Sequence, residues 1–146
     1  MKYWDSSALV PLLVQDPATT KVRRILANDG EVLTWWATRV EAASALARMA
    51  RDGALDPDAH QVALGRLEVF AAAWDEVVPT DLVREQAARL LRVHPLRTAD
   101  ALQLAAAVVA SEQRPATLTV VTLDDRLRQA ALREGFGTLP DAGSAR

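Results

Sequence analysis

The chain has no cysteine, so disulfides and thiolate metal sites are excluded. It has two histidines, His60 and His94, which are not at ligand spacing from each other, and a zinc centre has no ligand set to draw on. Lysine is nearly missing. Lys2 and Lys21 stand alone among 17 basic residues, and the rest are arginine, the side chain suited to bidentate contact with phosphate or carboxylate. A net charge of −2 supplies no global positive field, which argues against a general polyanion binder. No apolar run approaches the ~20 residues of a membrane span. Asp5 interrupts the N-terminal apolar stretch before it reaches the length a signal peptide needs. The expectation is a soluble, cytoplasmic protein without internal repeat, low-complexity segment or interior linker.

What is present is ordinary globular material. Half of the 146 residues are hydrophobic and a quarter are charged, as in a single domain that buries roughly 68–70% of its unfolded surface. Short β-branched runs alternate with longer Ala/Leu-rich periodic stretches. Strands are predicted at Tyr3–Asp5, Val32–Trp35, Glu76–Val78, Thr119–Thr122 and Phe136–Leu139. Helices fill the intervals. The first spans Ser7 to Val14, kinked at Pro11, and the second is capped by Asp16 with Pro17 at its first position. The third is "TRVEAASALARMARDG", stopped by Gly53. Further helices start at "DPDAH", "TDLVREQ", "TADALQL" and "DDRLRQA", the last closed by Gly135. Strands separated by helices require crossover connections, hence an α/β domain in three layers, α/β/α, around a mainly parallel sheet. The domain is expected over residues 1–140, with 141–146 as a flexible tail.

In such sheets ligands gather at the carboxyl ends of the strands. Asp5 ends the first strand and Asp124 follows the fourth. Glu41 and Asp100 fall in the first turns of two helices. Each acid has a plain structural use: Glu41 completes a capping box with Thr38, Asp100 suits the positive end of a helix dipole, and Asp124 or Asp125 can cap the last helix. Asp5 fits this worst, because Ser6 beside it is already a competent cap. The conjunction matters more than any member. Two unit charges ~4 Å apart repel by about 4 kcal/mol at an effective dielectric of 20, so a pocket of carboxylates wants a cation. Neither lysine lies near a strand's carboxyl end, and Arg97 or Arg126 compensates only in part. With oxygen ligands alone, Mg²⁺ or Mn²⁺ is the natural occupant. An all-carboxylate metal site suits phosphodiester hydrolysis.

The segments "DSSALV", Glu41 at the opening of the third helix, "RTADALQLAAA" and "VVTLDDRL", taken in that order, resemble a PIN-domain ribonuclease, specifically a VapC-type toxin of a toxin–antitoxin pair. The resemblance covers roughly Lys2 to Pro140 and implies a PIN-like α/β/α fold. It also implies that Asp5, Glu41, Asp100 and Asp124 form the acidic, metal-binding, catalytic quartet, with Ser6 and Thr122 as supporting hydroxyls and Mg²⁺ or Mn²⁺ as cofactor. RNA would be the substrate, a homodimer the assembly, and a VapB-type antitoxin the partner, inserting a C-terminal segment into the acidic groove. Asp125 falls on a more variable position. Gln103 stands where many relatives have His, one turn beyond Asp100, where it bears on local polarity, metal preference or RNA contact. Arg97, Arg126 and Arg128 flank the acids and can hold phosphates beside the metal, although Arg128 reads equally as a solvent-exposed helix residue.

The four tryptophans read mainly as core. Alternation sends one of Trp35 and Trp36 away from the face the other occupies, where a ring could stack on a base. Two other function classes compete. Aspartyl-phosphate chemistry also clusters acids at strand ends but needs a lysine at the site, and the phosphatases of that class need a second Asp where Ser7 stands. A non-catalytic PIN-like module that binds an antitoxin or RNA would use the apolar faces of "VEAASALARMA" and "HQVALGRLEVFAAAW". Retention of all four acids favours catalysis.

Overall fold

The computed structural model describes residues 1–143; of the segment expected as a tail, residues 144–146 lie outside them. Five strands, β1 (Lys2–Trp4), β2 (Val32–Trp35), β3 (Asp75–Val77), β4 (Thr119–Val121) and β5 (Gly137–Leu139), form one sheet. Its order is β3-β2-β1-β4-β5, and every pairing is parallel. The first strand in sequence is therefore the central strand in space. Tyr3 pairs with Leu33 on one side and Val120 on the other. Seven helices supply the crossovers among the described residues: α1 (Ser6–Leu13), α2 (Thr19–Asn28), α3 (Thr38–Arg51), α4 (Pro57–Ala71), α5 (Asp81–Val93), α6 (Thr98–Ala110) and α7 (Asp125–Glu134). The expected strands and helices are all there, with boundaries shifted by at most three residues and β2 where expected.

Period-two alternation divides the core between the two faces. Tyr3, Val120 and Trp35 pack with Leu104, Ala105 and Val108 of α6, Leu90 of α5 and Leu127 of α7. Trp4, Val121 and Val32 face the other way, onto Leu9 of α1, Val22 of α2, Leu46 of α3 and Leu67 of α4. This is the three-layer α/β/α arrangement. Tyr3 and Trp4 are both fully buried, and side chains of this size contribute roughly 1.5–3 kcal/mol each on burial. No helix among the described residues is long and apolar enough to cross a membrane.

The start of α2 differs from the sequence expectation. Asp16 does not cap α2: its carboxylate accepts from Ala18 N at 2.8 Å, closing a turn before the helix begins at Thr19. Thr19 then donates its hydroxyl to Pro11 O at 2.7 Å, using α1 as its anchor. Helix α1 itself runs through Pro11 without a break. Gly135 does close α7, with φ +98°. That left-handed conformation is open to glycine at little cost, and it lets Phe136 N reach Ala131 O at 3.0 Å and bury its ring.

Candidate active site

Asp5 sits where β1 hands over to α1. Its backbone N–H donates to Val121 O at 3.0 Å, so it stays in line with the sheet, and its side chain turns to cap α1. The expectation that Ser6 is the cap is overturned. Ser6 is the first helical residue, and its hydroxyl donates to Glu41 Oε2 at 3.0 Å. Asp5 Oδ2 accepts from Ser7 N at 3.3 Å, Ser7 Oγ at 2.5 Å and Thr122 Oγ1 at 2.9 Å. Burial, with 4% exposure, pushes the carboxyl above its ordinary range; the Ser7 and Thr122 bonds pull it back, and the negative charge of Asp124 adds a further push. Three donors on one oxygen hold this buried group in a fixed orientation.

Glu41 comes from the first turn of α3, but not through a capping box. Thr38 lies inside the helix with its hydroxyl buried, accepting from Trp35 N at 3.2 Å and Gln103 Nε2 at 2.9 Å. The tight turn out of β2 needs that hydroxyl for itself. Glu41 Oε2 instead accepts from Gln103 Nε2 at 3.1 Å as well as from Ser6. Burial raises the Glu41 carboxyl, the Gln103 and Ser6 bonds lower it, and the charges of Asp5 and Asp100 raise it again. Gln103, only 1% exposed, accepts the Tyr3 hydroxyl proton on Oε1 at 2.5 Å. The Tyr3 phenol is pushed well above its ordinary value by burial and then by Asp5 and Glu41, so it remains a donor. Gln103 is thus too buried to contact RNA. It orients Glu41.

Asp124 and Asp100 complete the set. Asp124 caps α7, its Oδ1 accepting from Leu127 N at 2.9 Å, while its own amide donates to Thr122 Oγ1 at 3.1 Å. Capping and cleft lining are therefore combined in one residue. Asp100, half-buried in the first turn of α6, is raised by burial and then by Asp124; a hydrogen bond from the Arg97 backbone and the guanidinium charges of Arg97 and Arg126 oppose this. A cleft of about 690 Å³ is lined by Ser6, Ser7, Glu41 and Asp124. A second hollow of about 440 Å³ is lined by Arg97, Asp100, Asp124 and Arg126, and the two share Ala99 and Asp124. Asp5, buried, lines neither, but its charge acts on Glu41 and that of Asp124 acts on it, so all four acids belong to one neighbourhood at the carboxyl edge of the sheet.

The neighbourhood is wider than a ready-made cage. Among the described residues no three acidic or histidine side chains stand close enough together to enclose an ion as they are. The donor chemistry nevertheless fits a hard divalent cation. The protein's donors occupy Oδ2 of Asp5, Oε2 of Glu41 and Oδ1 of Asp124. Among the described residues, the other oxygens of Glu41 and Asp124 take no protein donor, and Asp5 Oδ1 has only a 3.4 Å approach from Ser6. Oxygen-only ligands with open lone pairs suit Mg²⁺ or Mn²⁺.

The basic flank divides. Arg97 and Arg126 are exposed at the hollow that holds Asp100 and Asp124. Arg128 does neither thing expected of it. It is 5% exposed, and its guanidinium donates to Pro140 O and, at 2.6 Å, to Thr122 O, fastening the end of β4 to the end of β5. Asp125, 96% exposed at its side chain, lies 3.8 Å from Arg128. Trp35 is buried, while Trp36 is 56% exposed and meets it edge-on at 6.5 Å.

The PIN-domain family profile matches residues 2–132. This chain belongs to the PIN-domain family. Two curated relatives, "Ribonuclease VapC45" from Mycobacterium tuberculosis (strain CDC 1551 / Oshkosh) and "Ribonuclease VapC49" from Mycobacterium tuberculosis (strain ATCC 25618 / H37Rv), are each 31% identical over 138 residues, covering 94% of this chain and 94% of theirs. The solved structure of FitAcB from Neisseria gonorrhoeae superposes with a TM-score of 0.64 at 21% identity, over 94% of this chain and 96% of that one. The resemblance to VapC-type PIN domains read from the motifs agrees with these relatives, and the fold agrees with the solved structure.

Within this PIN domain, sequence reasoning missed three supporting residues. Ser7 holds Asp5 and also accepts from Leu123 N at 2.9 Å. Its signal was available: two residues beyond a capping Asp is where the bonded amide lies. Thr38 and Tyr3 act through Gln103, across 65 and 100 residues. No local pattern announces contacts of that range.

Proposed function

We propose that this PIN domain is a metal-dependent endoribonuclease, the toxin of a VapBC-type pair, that hydrolyses RNA phosphodiester bonds at the groove lined by Glu41, Asp100 and Asp124 with Asp5 buried beside it. The observation that carries the reading is the shared neighbourhood of the four acids, each anchored by protein donors, in which burial and mutual repulsion raise the proton affinity of Asp5, Glu41 and Asp100. The names of the relatives, VapC ribonucleases, point to the same chemistry.

Asp5, Glu41, Asp100 and Asp124 would hold Mg²⁺ or Mn²⁺ through their open oxygens. When bound, the ion supplies Lewis-acid polarisation of the phosphodiester and offsets the charge that develops on it. The chain's own residues do the rest. Ser7 and Thr122 fix Asp5, Ser6 and Gln103 fix Glu41, and the α7 N-terminus fixes Asp124. Arg97 and Arg126 bind the phosphates flanking the scissile one, where guanidinium forks match phosphate oxygens. An antitoxin of the VapB type and a second copy of the chain are the protein partners. Exposed Val40, Val62 and Val69 on α3 and α4 leave apolar surface for them.

The test is cleavage of a structured RNA by purified protein. Cutting is expected only with Mg²⁺ or Mn²⁺ and is abolished in Asp5→Asn with an unchanged circular dichroism spectrum. An Asn variant cutting at the unmodified rate would refute the catalytic assignment. Calorimetric titration of Mn²⁺ into Asp100→Asn should show weakened binding independently of any cleavage assay.

A further inference from the structure

We infer that the groove continues beyond the acids along α7 and binds a second backbone phosphate of single-stranded RNA, with Arg126 at the junction and Arg133 and Gln129 as the far contact. The inference rests on the ribonuclease reading and extends it to which flank of the substrate the protein holds.

The hollow containing Asp100, Asp124 and Arg97 adjoins another of about 290 Å³, lined by His94, Pro95, Gln129, Ala130 and Arg133. Asp125 and Arg126 belong to both. Arg126, Gln129 and Arg133 are spaced by three and four residues on α7 and so share one face. Seven residues of helix separate the two arginines by roughly 10 Å along the axis. The second hollow therefore extends away from the acids in a defined direction.

Among the described residues neither arginine on this face stands in an ion pair, although the Arg126 charge reaches Asp100. Arg39, Arg89 and Arg114 each stand on a carboxylate, Glu68, Glu134 and Glu112 respectively. Arg126 and Arg133 have no such partner within 4 Å among the described residues, although acids adjoin both in sequence. Of those acids Glu134 is firmly held, while Asp125 stays exposed at the junction of the two hollows. Glu134 accepts from Arg89 Nη2 at 2.8 Å and from His94 Nε2 at 2.6 Å, and Asp125 faces Arg128. The same Glu134 bond pins His94, which forms part of the floor of the hollow. A chain with a net charge of −2 thus presents two unpaired guanidiniums in a row on a rigid floor leading out of its acidic centre. A backbone phosphate is the ligand that such a row fits.

The experiment measures binding apart from cutting. Fluorescence anisotropy in Mg²⁺, with every protein carrying the non-cutting Asp5→Asn substitution, would compare RNA oligonucleotides of about 4 and about 12 nucleotides, within the range of single-strand sites. Arg133→Gln is expected to weaken the longer RNA roughly five- to tenfold and the shorter one far less. It should also reduce the slope of log affinity against log salt by about 0.7, the share of one phosphate on a single strand. Gln129→Glu, which adds a carboxylate to the same exposed face, should weaken the longer RNA in the same selective way. Arg114→Gln removes an equal charge elsewhere and should change neither. If Arg133→Gln matches the Asp5→Asn parent at both lengths, or loses equally at both, the extended groove is wrong while the ribonuclease reading stands. If the Asp5→Asn parent binds neither RNA, both are wrong.

Discussion

The side-chain amide of Gln103 donates to Glu41 Oε2 across 3.1 Å, linking α6 to α3 inside the protein rather than at its surface. The same amide donates to Thr38 and accepts from Tyr3, so the three contacts share one group. Gln103→Leu keeps the approximate volume but leaves Tyr3 Oη, Thr38 Oγ1 and Glu41 Oε2 each short of a partner. At about 1–3 kcal/mol for an unsatisfied buried group, and without assuming additivity, urea unfolding should show a loss of about 2–4 kcal/mol. Tyr3→Phe removes one bond of the chain and should cost about 1 kcal/mol.

Asp100 should act in the opposite sense. Its carboxyl is held above the ordinary range by burial and by Asp124, so the folded protein binds that proton more tightly than the unfolded chain does. The resulting stabilisation is present below the unfolded pKa, near 3.9, and is lost as pH rises through the raised folded value. At neutral pH the ionised group opposes folding. Asp100→Asn in chelator should therefore melt a few degrees higher than the unmodified protein by differential scanning fluorimetry. Added Mn²⁺ should raise the melting temperature of the variant less.

Glu134 carries the reverse dependence. Hydrogen bonds from Arg89 and His94, and the Arg89 charge, lower its carboxyl below the usual range despite partial burial. A depressed group stabilises above the unfolded value, near 4.3, and that contribution disappears as pH falls through the folded value. Glu134→Gln should cost about 1–3 kcal/mol at pH 7, the range for charge-assisted bonds. Unfolding curves for the two proteins should converge in acid, below the usual carboxylate range.

Two arginines two residues apart should separate cleanly. Arg128 gives charge-assisted bonds to the Thr122 and Pro140 carbonyls in a buried setting, so Arg128→Met is expected to lose about 2–4 kcal/mol in chemical denaturation. Arg126 is exposed and makes no such bond. Arg126→Gln should leave the unfolding midpoint unchanged and lower RNA cleavage roughly tenfold, mainly through KM.

Much of the architecture was legible because the local signals agreed with one another. Asp56 and Thr80 cap their helices through Ala59 N and Val83 N as their sequence positions predict, Gly53 and Gly135 adopt positive φ at helix ends, and Tyr3–Trp4 alternate across the sheet. The four acids were legible for a related reason: strand ends and helix starts are identified by local pattern, and a parallel sheet brings both to one edge. What stayed hidden depends on distant partners. Thr38 reads as the first half of a capping box until Trp35 N and Gln103 claim its hydroxyl. Arg128 reads as a surface arginine because its partners are backbone carbonyls, which carry no identity in a sequence. Ser6 and Ser7 are chemically alike, and only the approach of Thr122 and Glu41 assigns them different duties.

The bracing of Asp5 has a consequence for the order in which the protein is built. Thr122, whose hydroxyl steadies the fifth residue of the chain, is itself held through its amide by Leu139 O at 2.9 Å and through its carbonyl by an arginine shared with Pro140. A polypeptide emerging from its N-terminus thus delivers Asp5 117 residues before the hydroxyl that clamps it. Until the fifth strand docks, the fragment carries every carboxylate and yet has no finished centre.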